Sequence, residues 1–131
     1  MKKTALLHAE LSATIARMGH GDLLVIGDAG LPVPPGVPCI DLALTADIPR
    51  MADVLRVVLQ EMQVESALLA DEFAPRNPAV HADVTSLLGA VPVQTVTHET
   101  LKLRSAQAKA VVRSGEFSPY ANVVLRSGVV F

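Results

Sequence analysis

The sequence predicts an α/β fold: a single three-layer α/β/α domain over residues 1–131, with a central, mostly parallel or mixed sheet. Three observations predict it. Strand-like and helix-like segments alternate along the chain, as they do where helices cover a sheet. Short apolar runs such as Leu23 to Ile26 lack polar alternation, the mark of strands buried on both faces. A length of 131 residues suits one domain that buries roughly two-thirds of its unfolded surface.

The first helix is expected from about His8 to Met18, because Leu11, Ile15 and Met18 recur at helical spacing, Ser12 and Thr14 keep the other face polar, and Gly19 suits the C′ position. Leu23 to Gly27 reads as the first strand. The loop from Gly30 to Pro38 carries Pro32, Pro34, Pro35 and Pro38 and is stiff. Ile40 to Leu44 alternates weakly, as a short strand does, and Pro49 suits N1 of the next helix. That helix, Arg50 to Gln63, places Met51, Val54, Leu55, Val58, Leu59 and Met62 on one face.

Val64 to Ala70 is a strand ending at Asp71 and Glu72. Asn77-Pro78 starts a helix that runs to Gly89. Val91 to Val96 is a strand, and Thr97 caps a helix from His98 to about Ala108. Ala110 to Val112 and Asn122 to Arg126 are the last strands, joined by a connection too short for an ordinary helical crossover.

Composition narrows the function. Half of the residues are hydrophobic, which suits strands buried on both faces or a large subunit interface. The net charge is −2, and the rings are Phe73, Phe117, Phe131 and Tyr120 alone, so the basic stripe and stacking platforms of a nucleic-acid binder are missing. Cys39 is the lone cysteine, which fits a reducing cytoplasm and leaves no thiolate metal cluster. No apolar run nears the ~20 residues that cross a bilayer, and the first residues do not read as a signal peptide.

Candidate chemistry centres on Gly19-His20-Gly21 and on Asp28, which flank the first strand. His20 reads either as a solvated turn residue or as an acid–base group left free by its glycines. Asp28 reads as a turn-forming carboxylate or as one that orients a hydroxyl, an imidazole or a metal. The two cannot share one pocket within a chain if the strand between them is straight, because it spans roughly 15–20 Å. A turn or a neighbouring subunit must bring them together, or they serve different sites.

His98 and Lys102 share a helix face; the plain reading is a first-turn residue and a solvated lysine. Tyr120 and Asn122 lie in Ser118-Pro119-Tyr120-Ala121-Asn122, a loop whose proline can hold a phenol and an amide in place. His8 and His81 read as surface residues. No P-loop, Rossmann fingerprint, zinc spacing or nucleophile elbow occurs. Asp28, Asp41, Asp71 and Glu72 at the strand ends leave a Mg²⁺-dependent phosphoryl-transfer enzyme, using Asp28 and Asp41, as an alternative.

The histidine after the first helix, Asp28-Ala29-Gly30-Leu31-Pro32, Ile40 to Thr45, Glu61 to Glu65, Thr97-His98-Glu99 and Arg113 to Asn122 together resemble the D-ribose pyranase family, related to the fucose mutarotases. The resemblance runs the whole length in one order. It departs at Phe117, where some members carry Cys, and is weakest from Pro75 to Gly89. It implies cofactor-independent interconversion of the pyranose and furanose rings of D-ribose or a similar monosaccharide. It makes His20 the proton donor, places Asp28, His98, Tyr120 and Asn122 on the sugar, and puts Lys102 near it. It also implies a homo-oligomer of stacked cyclic rings, a decamer, with the site near a subunit boundary. A sugar-binding module without turnover is the other alternative.

Overall fold

A computed structural model describes residues 1–131. The elements are α1 (Ala9–Arg17), β1 (Leu23–Gly27), β2 (Cys39–Asp41), α2 (Met51–Glu61), β3 (Val64–Ala70), α3 (Phe73–Arg76), α4 (Pro78–Leu88), β4 (Val93–Val96), α5 (His98–Ser105), β5 (Ala108–Arg113) and β6 (Val123–Ser127). The strands form one six-stranded sheet in the order β2-β5-β1-β6-β3-β4.

The sheet is mixed, and one strand makes it so. β1 pairs parallel with β5, β5 with β2, and β3 with β4, while β6 runs antiparallel to both β1 and β3. Because β6 runs backwards, the chain leaving β5 needs only to step over the end of β1 and return. That accounts for the short last connection, since antiparallel strands need no helical crossover. The same reversal gathers the C-terminal ends of β1 to β5 and the start of β6 along one sheet edge.

Both sheet faces carry apolar side chains. Leu24, Ile26, Leu69, Val112, Val123 and Leu125 share one face by register and are fully buried. Leu68, Val96 and Val124 line a groove on the other face beside Arg104 and Gln107, near the end of α5. Helix α2 packs on β1, and α4 packs on α2.

Several boundaries differ from expectation for local reasons. β2 stops at Asp41 because the chain turns beyond it: the Asp41 carboxylate accepts the Ala43 N–H, and Thr45 bridges to Ile48. Pro49 lies ahead of the N-cap Arg50 instead of at N1. The one-turn α3 precedes α4, and α5 ends at Ser105, which lets β5 begin at Ala108. His8 is exposed but caps α1, its Nδ1 accepting the Leu11 N–H at 3.2 Å. His81 is half-buried, edge-on to Phe73.

Candidate active site

Four of the six candidate residues meet at the edge where the parallel strands end. Asp28 follows β1 and Asn122 precedes β6, so the pairing of those strands sets them side by side. Asn122 is fully buried. Its Oδ1 accepts the Asp28 N–H at 2.9 Å, and its Nδ2 donates to Asp28 Oδ2 at 2.9 Å. Asp28 Oδ1 accepts the Gly30 N–H at 2.9 Å, which closes the loop. Burial pushes the Asp28 carboxyl above its usual range; the Gly30 and Asn122 hydrogen bonds and the nearby His98 pull the other way.

His98 opens α5 after β4. Thr97 caps that helix by accepting the Thr100 N–H, and Glu72, just past β3, accepts the His98 N–H at 2.9 Å. The imidazole stands edge-on to Tyr120, ring centroids 5.1 Å apart. Its Nδ1 is buried and has no hydrogen-bond partner. Buried polar atoms without partners are rare in folded proteins, and one at a strand-end site is a place for a ligand to bond.

The Tyr120 loop is fixed from beneath by Glu116, a residue that sequence reasoning did not single out. Glu116 is 3% exposed. Its Oε2 accepts the Met51 N–H at the start of α2, and its Oε1 accepts the Ser118 hydroxyl at 2.6 Å. Asn77 completes the support, Nδ2 donating to Ser118 Oγ at 2.8 Å and to the Pro119 carbonyl at 2.9 Å. Tyr120 is thereby held at φ 59°, a left-handed conformation that costs a non-glycine residue about 1–2 kcal/mol. Ahead of Glu116, Gly115 donates its N–H to the Pro49 carbonyl at 2.7 Å and could carry no Cβ, which would fall 2.5 Å from the Ile48 oxygen.

The remaining two candidates stand apart. Lys102 lies one turn along α5 from His98, with its Nζ on Glu99 Oε1 at 2.6 Å. His20 lies before β1, at the opposite sheet edge from Asp28, and the five residues of β1 between them span ~15 Å. There its Nε2 faces Glu65 Oε2 at 3.3 Å. One chain therefore holds the candidate residues in two separate clusters. Of the acidic pair Asp28 and Asp41, Asp41 is paired with a cation: Arg113 donates to it through Nη1 at 2.8 Å and to the Ala29 carbonyl through Nε at 3.0 Å. No group of three or more His, Cys, Asp or Glu side chains is placed to hold a metal ion.

Comparison with known proteins gives consistent matches. The model of the RbsD / FucU transport protein family matches residues 1–130. The D-ribose pyranase of Symbiobacterium thermophilum is 61% identical over 131 residues and that of Variovorax paradoxus 62% over 133, each match covering both chains completely. Among solved structures, Bacillus subtilis RbsD complexed with D-ribose superposes with a TM-score of 0.97 at 42% identity over the whole of both chains. The fucose mutarotase of Streptococcus pneumoniae in complex with L-fucose shares the fold, with a TM-score of 0.86 at 24% identity over both whole chains. Both clusters lie on a scaffold common to these proteins, and the chain belongs to the RbsD / FucU transport protein family.

Proposed function

We propose that this protein is a D-ribose pyranase, an isomerase that interconverts the pyranose and furanose rings of ribose without a cofactor. The observation that carries this reading is the half-site at the strand ends: Asp28 and Asn122 locked together, Tyr120 beside them, and a buried His98 Nδ1 without a partner. Those groups suit a polyhydroxylated ligand, whose hydroxyls lose water on binding and must each find a donor or acceptor. The relatives at 61% and 62% identity supply the substrate class.

The chemistry needs one proton moved in and one moved out. The anomeric hydroxyl loses its proton as the bond from the anomeric carbon to the ring oxygen breaks, and the ring oxygen gains a proton. The open aldehyde then recloses through a different hydroxyl, with the proton traffic reversed. A histidine titrates near pH 6.5 when unperturbed, so an imidazole suits both directions at neutral pH. We assign that role to His20, and sugar binding to Asp28, His98, Tyr120 and Asn122. Lys102, one turn from His98, is assigned to the rim of the site.

His20 reaches the sugar from a second protomer in this reading. Exposed apolar side chains support such an assembly: Leu44, Leu103, Phe117, Val130 and Phe131 are each more than 70% exposed in the single chain. The resemblance supplies its form, stacked rings totalling ten chains. No helix is long and apolar enough to cross a membrane, and the lone Cys39 thiol fits the cytoplasm we assign.

Saturation-transfer NMR on D-ribose tests the function. The parent should transfer saturation between ring forms with or without EDTA, and His20→Ala should lose about 10²–10⁴-fold in exchange rate while still binding the sugar. Binding without exchange would establish a sugar-binding module. Activity lost to EDTA and restored by Mg²⁺ would favour metal-dependent chemistry.

A further inference from the structure

The His20 turn is held more firmly than a solvated loop requires. Asp22 Oδ2 accepts the Gly19 N–H at 2.9 Å, the Gly21 N–H bonds the Ser127 carbonyl at 2.8 Å, and the Ser127 N–H bonds the Asp22 carbonyl at 2.8 Å. Gly21 takes φ +84°, a conformation that favours glycine, and the Arg126 guanidinium lies beside it. The backbone of His20 is thus pinned to the end of β6. Its side chain remains 56% exposed and forms one ion pair, with Glu65.

Glu65 sits at the start of β3, two strands away in the sheet. Its Oε2 faces His20 Nε2 at 3.3 Å and accepts from Arg126 Nε at 3.0 Å. Arg126 therefore anchors the same oxygen that the imidazole meets. We propose that Glu65 is a positioning residue for the ring-opening reaction: it holds neutral His20 as the Nε2–H tautomer and leaves the Nδ1 lone pair for the sugar. This inference rests on the assignment of His20 as the proton-transfer group.

The physical logic is that of a histidine oriented by a carboxylate. A neutral imidazole has one donor and one acceptor nitrogen, and the bond made by one nitrogen decides the state of the other. With Nε2–H turned to Glu65, Nδ1 takes the anomeric proton, and the resulting imidazolium returns a proton to the ring oxygen through the same nitrogen. The carboxylate keeps its charge throughout. The facing His20 imidazole, ahead of Arg126, holds Glu65 below the usual carboxylate range, so it remains ionised across neutral pH. The pair is too exposed to matter much for folding. Its removal therefore reads out in catalysis.

The test compares Glu65→Ala and Glu65→Gln with the parent in two readouts. Ribose exchange kinetics give kcat and KM. Magic-angle-spinning spectra of protein labelled at the histidine ring nitrogens give the tautomer, the His20 signals being those absent from His20→Ala. Glu65→Ala should lower kcat about 10–100-fold, leave KM within about twofold, and turn His20 into a tautomer mixture. Glu65→Gln, whose amide oxygen can still accept from Nε2–H, should keep the tautomer and recover most of kcat. A Glu65→Ala enzyme with parental kcat, or an unchanged Nε2–H signal, overturns the proposal. Equal losses in both variants with the tautomer intact do so too. If the parent exchanges ribose and His20→Ala does so equally well, the assignment of His20 itself has failed, and the tautomer spectra separate that result from failure of the Glu65 contact.

Discussion

Asn122→Ala should lower stability as well as sugar binding, because the amide is part of the scaffold. The substitution deletes two hydrogen bonds of 2.9 Å from a fully buried side chain. One of them donates to the Asp28 carboxyl, and such bonds contribute about 1.5–3 kcal/mol when the partner is charged. The other satisfies the Asp28 N–H, which would be left unpaired at a cost of about 1–3 kcal/mol. Discounting for relaxation and non-additivity, the loss is about 3–4 kcal/mol. A chain of 131 residues unfolds with an entropy near 0.28 kcal/mol/K at about 2.1 cal/mol/K per residue, so Tm should fall by about 11–15 °C. Calorimetry at fixed protein concentration measures this, since assembly makes Tm concentration-dependent. Asn122→Asp is the companion: it places a second carboxyl oxygen against Asp28 Oδ2, so its Tm deficit should grow from pH 5 to pH 8. A Tm within about 2 °C of the parent for Asn122→Ala would refute the reasoning.

Three further outcomes are expected. Gly115→Ala should fail to accumulate as folded protein, or melt far below the parent, because its Cβ would meet two backbone carbonyls at 2.5 and 2.6 Å; expression and melting curves check this. Burial raises the Asp28 carboxyl, so its neutral form favours the fold: its contribution is full below pH 3.8 and is lost as pH rises through the raised folded value. Asp28→Asn should accordingly flatten the part of the stability–pH curve that lies above pH 3.8, as pH-dependent denaturation would report. Glu116→Gln should raise KM for ribose several-fold with a smaller change in kcat, because it weakens the 2.6 Å Ser118 bond beneath the Tyr120 loop.

The strands were legible where polar residues bound an apolar run. Val64 to Ala70 was readable to the residue, because Gln63 and Asp71 close it on both sides. β2 was overdrawn because Ala43 and Leu44 look like strand residues; the turn that removes them is set by the Asp41 carboxylate and the Thr45–Ile48 bridge, which periodicity does not register. The one-turn α3 was missed because Pro75 hides a helix of four residues. The reversed β6 was signalled only by a connection too short to cross over. Among the candidate residues, Asp28, Tyr120 and Asn122 carry a functional reading beside an ordinary one from the residues alone, His98 carries only the ordinary one, and it is the family resemblance that implies a sugar site for all four. Their meeting depends on the β1–β6 pairing, which joins residues 94 apart in sequence. Glu72 stands out in the sequence only within the acidic strand-end set, not for its bond to the His98 N–H, and Glu65 and Glu116 do not stand out as site residues at all, because their contacts with His20 and Ser118 exist only in the folded sheet. Their one sequence signal was acidic side chains in or beside strands, where most such residues are solvated.

In the proposed assembly, one protomer's His20 completes another protomer's strand-end site. The direct measurement mixes His20→Ala with His98→Ala, unfolds both and refolds them together. Each variant alone should be inactive in ribose exchange. In mixed assemblies, confirmed by native mass spectrometry, random assortment should leave about a quarter of the sites with both histidines, and exchange should return to about that fraction of the parent rate. Mixed assemblies with no recovery, or a fully active monomer of the parent, would contradict the claim.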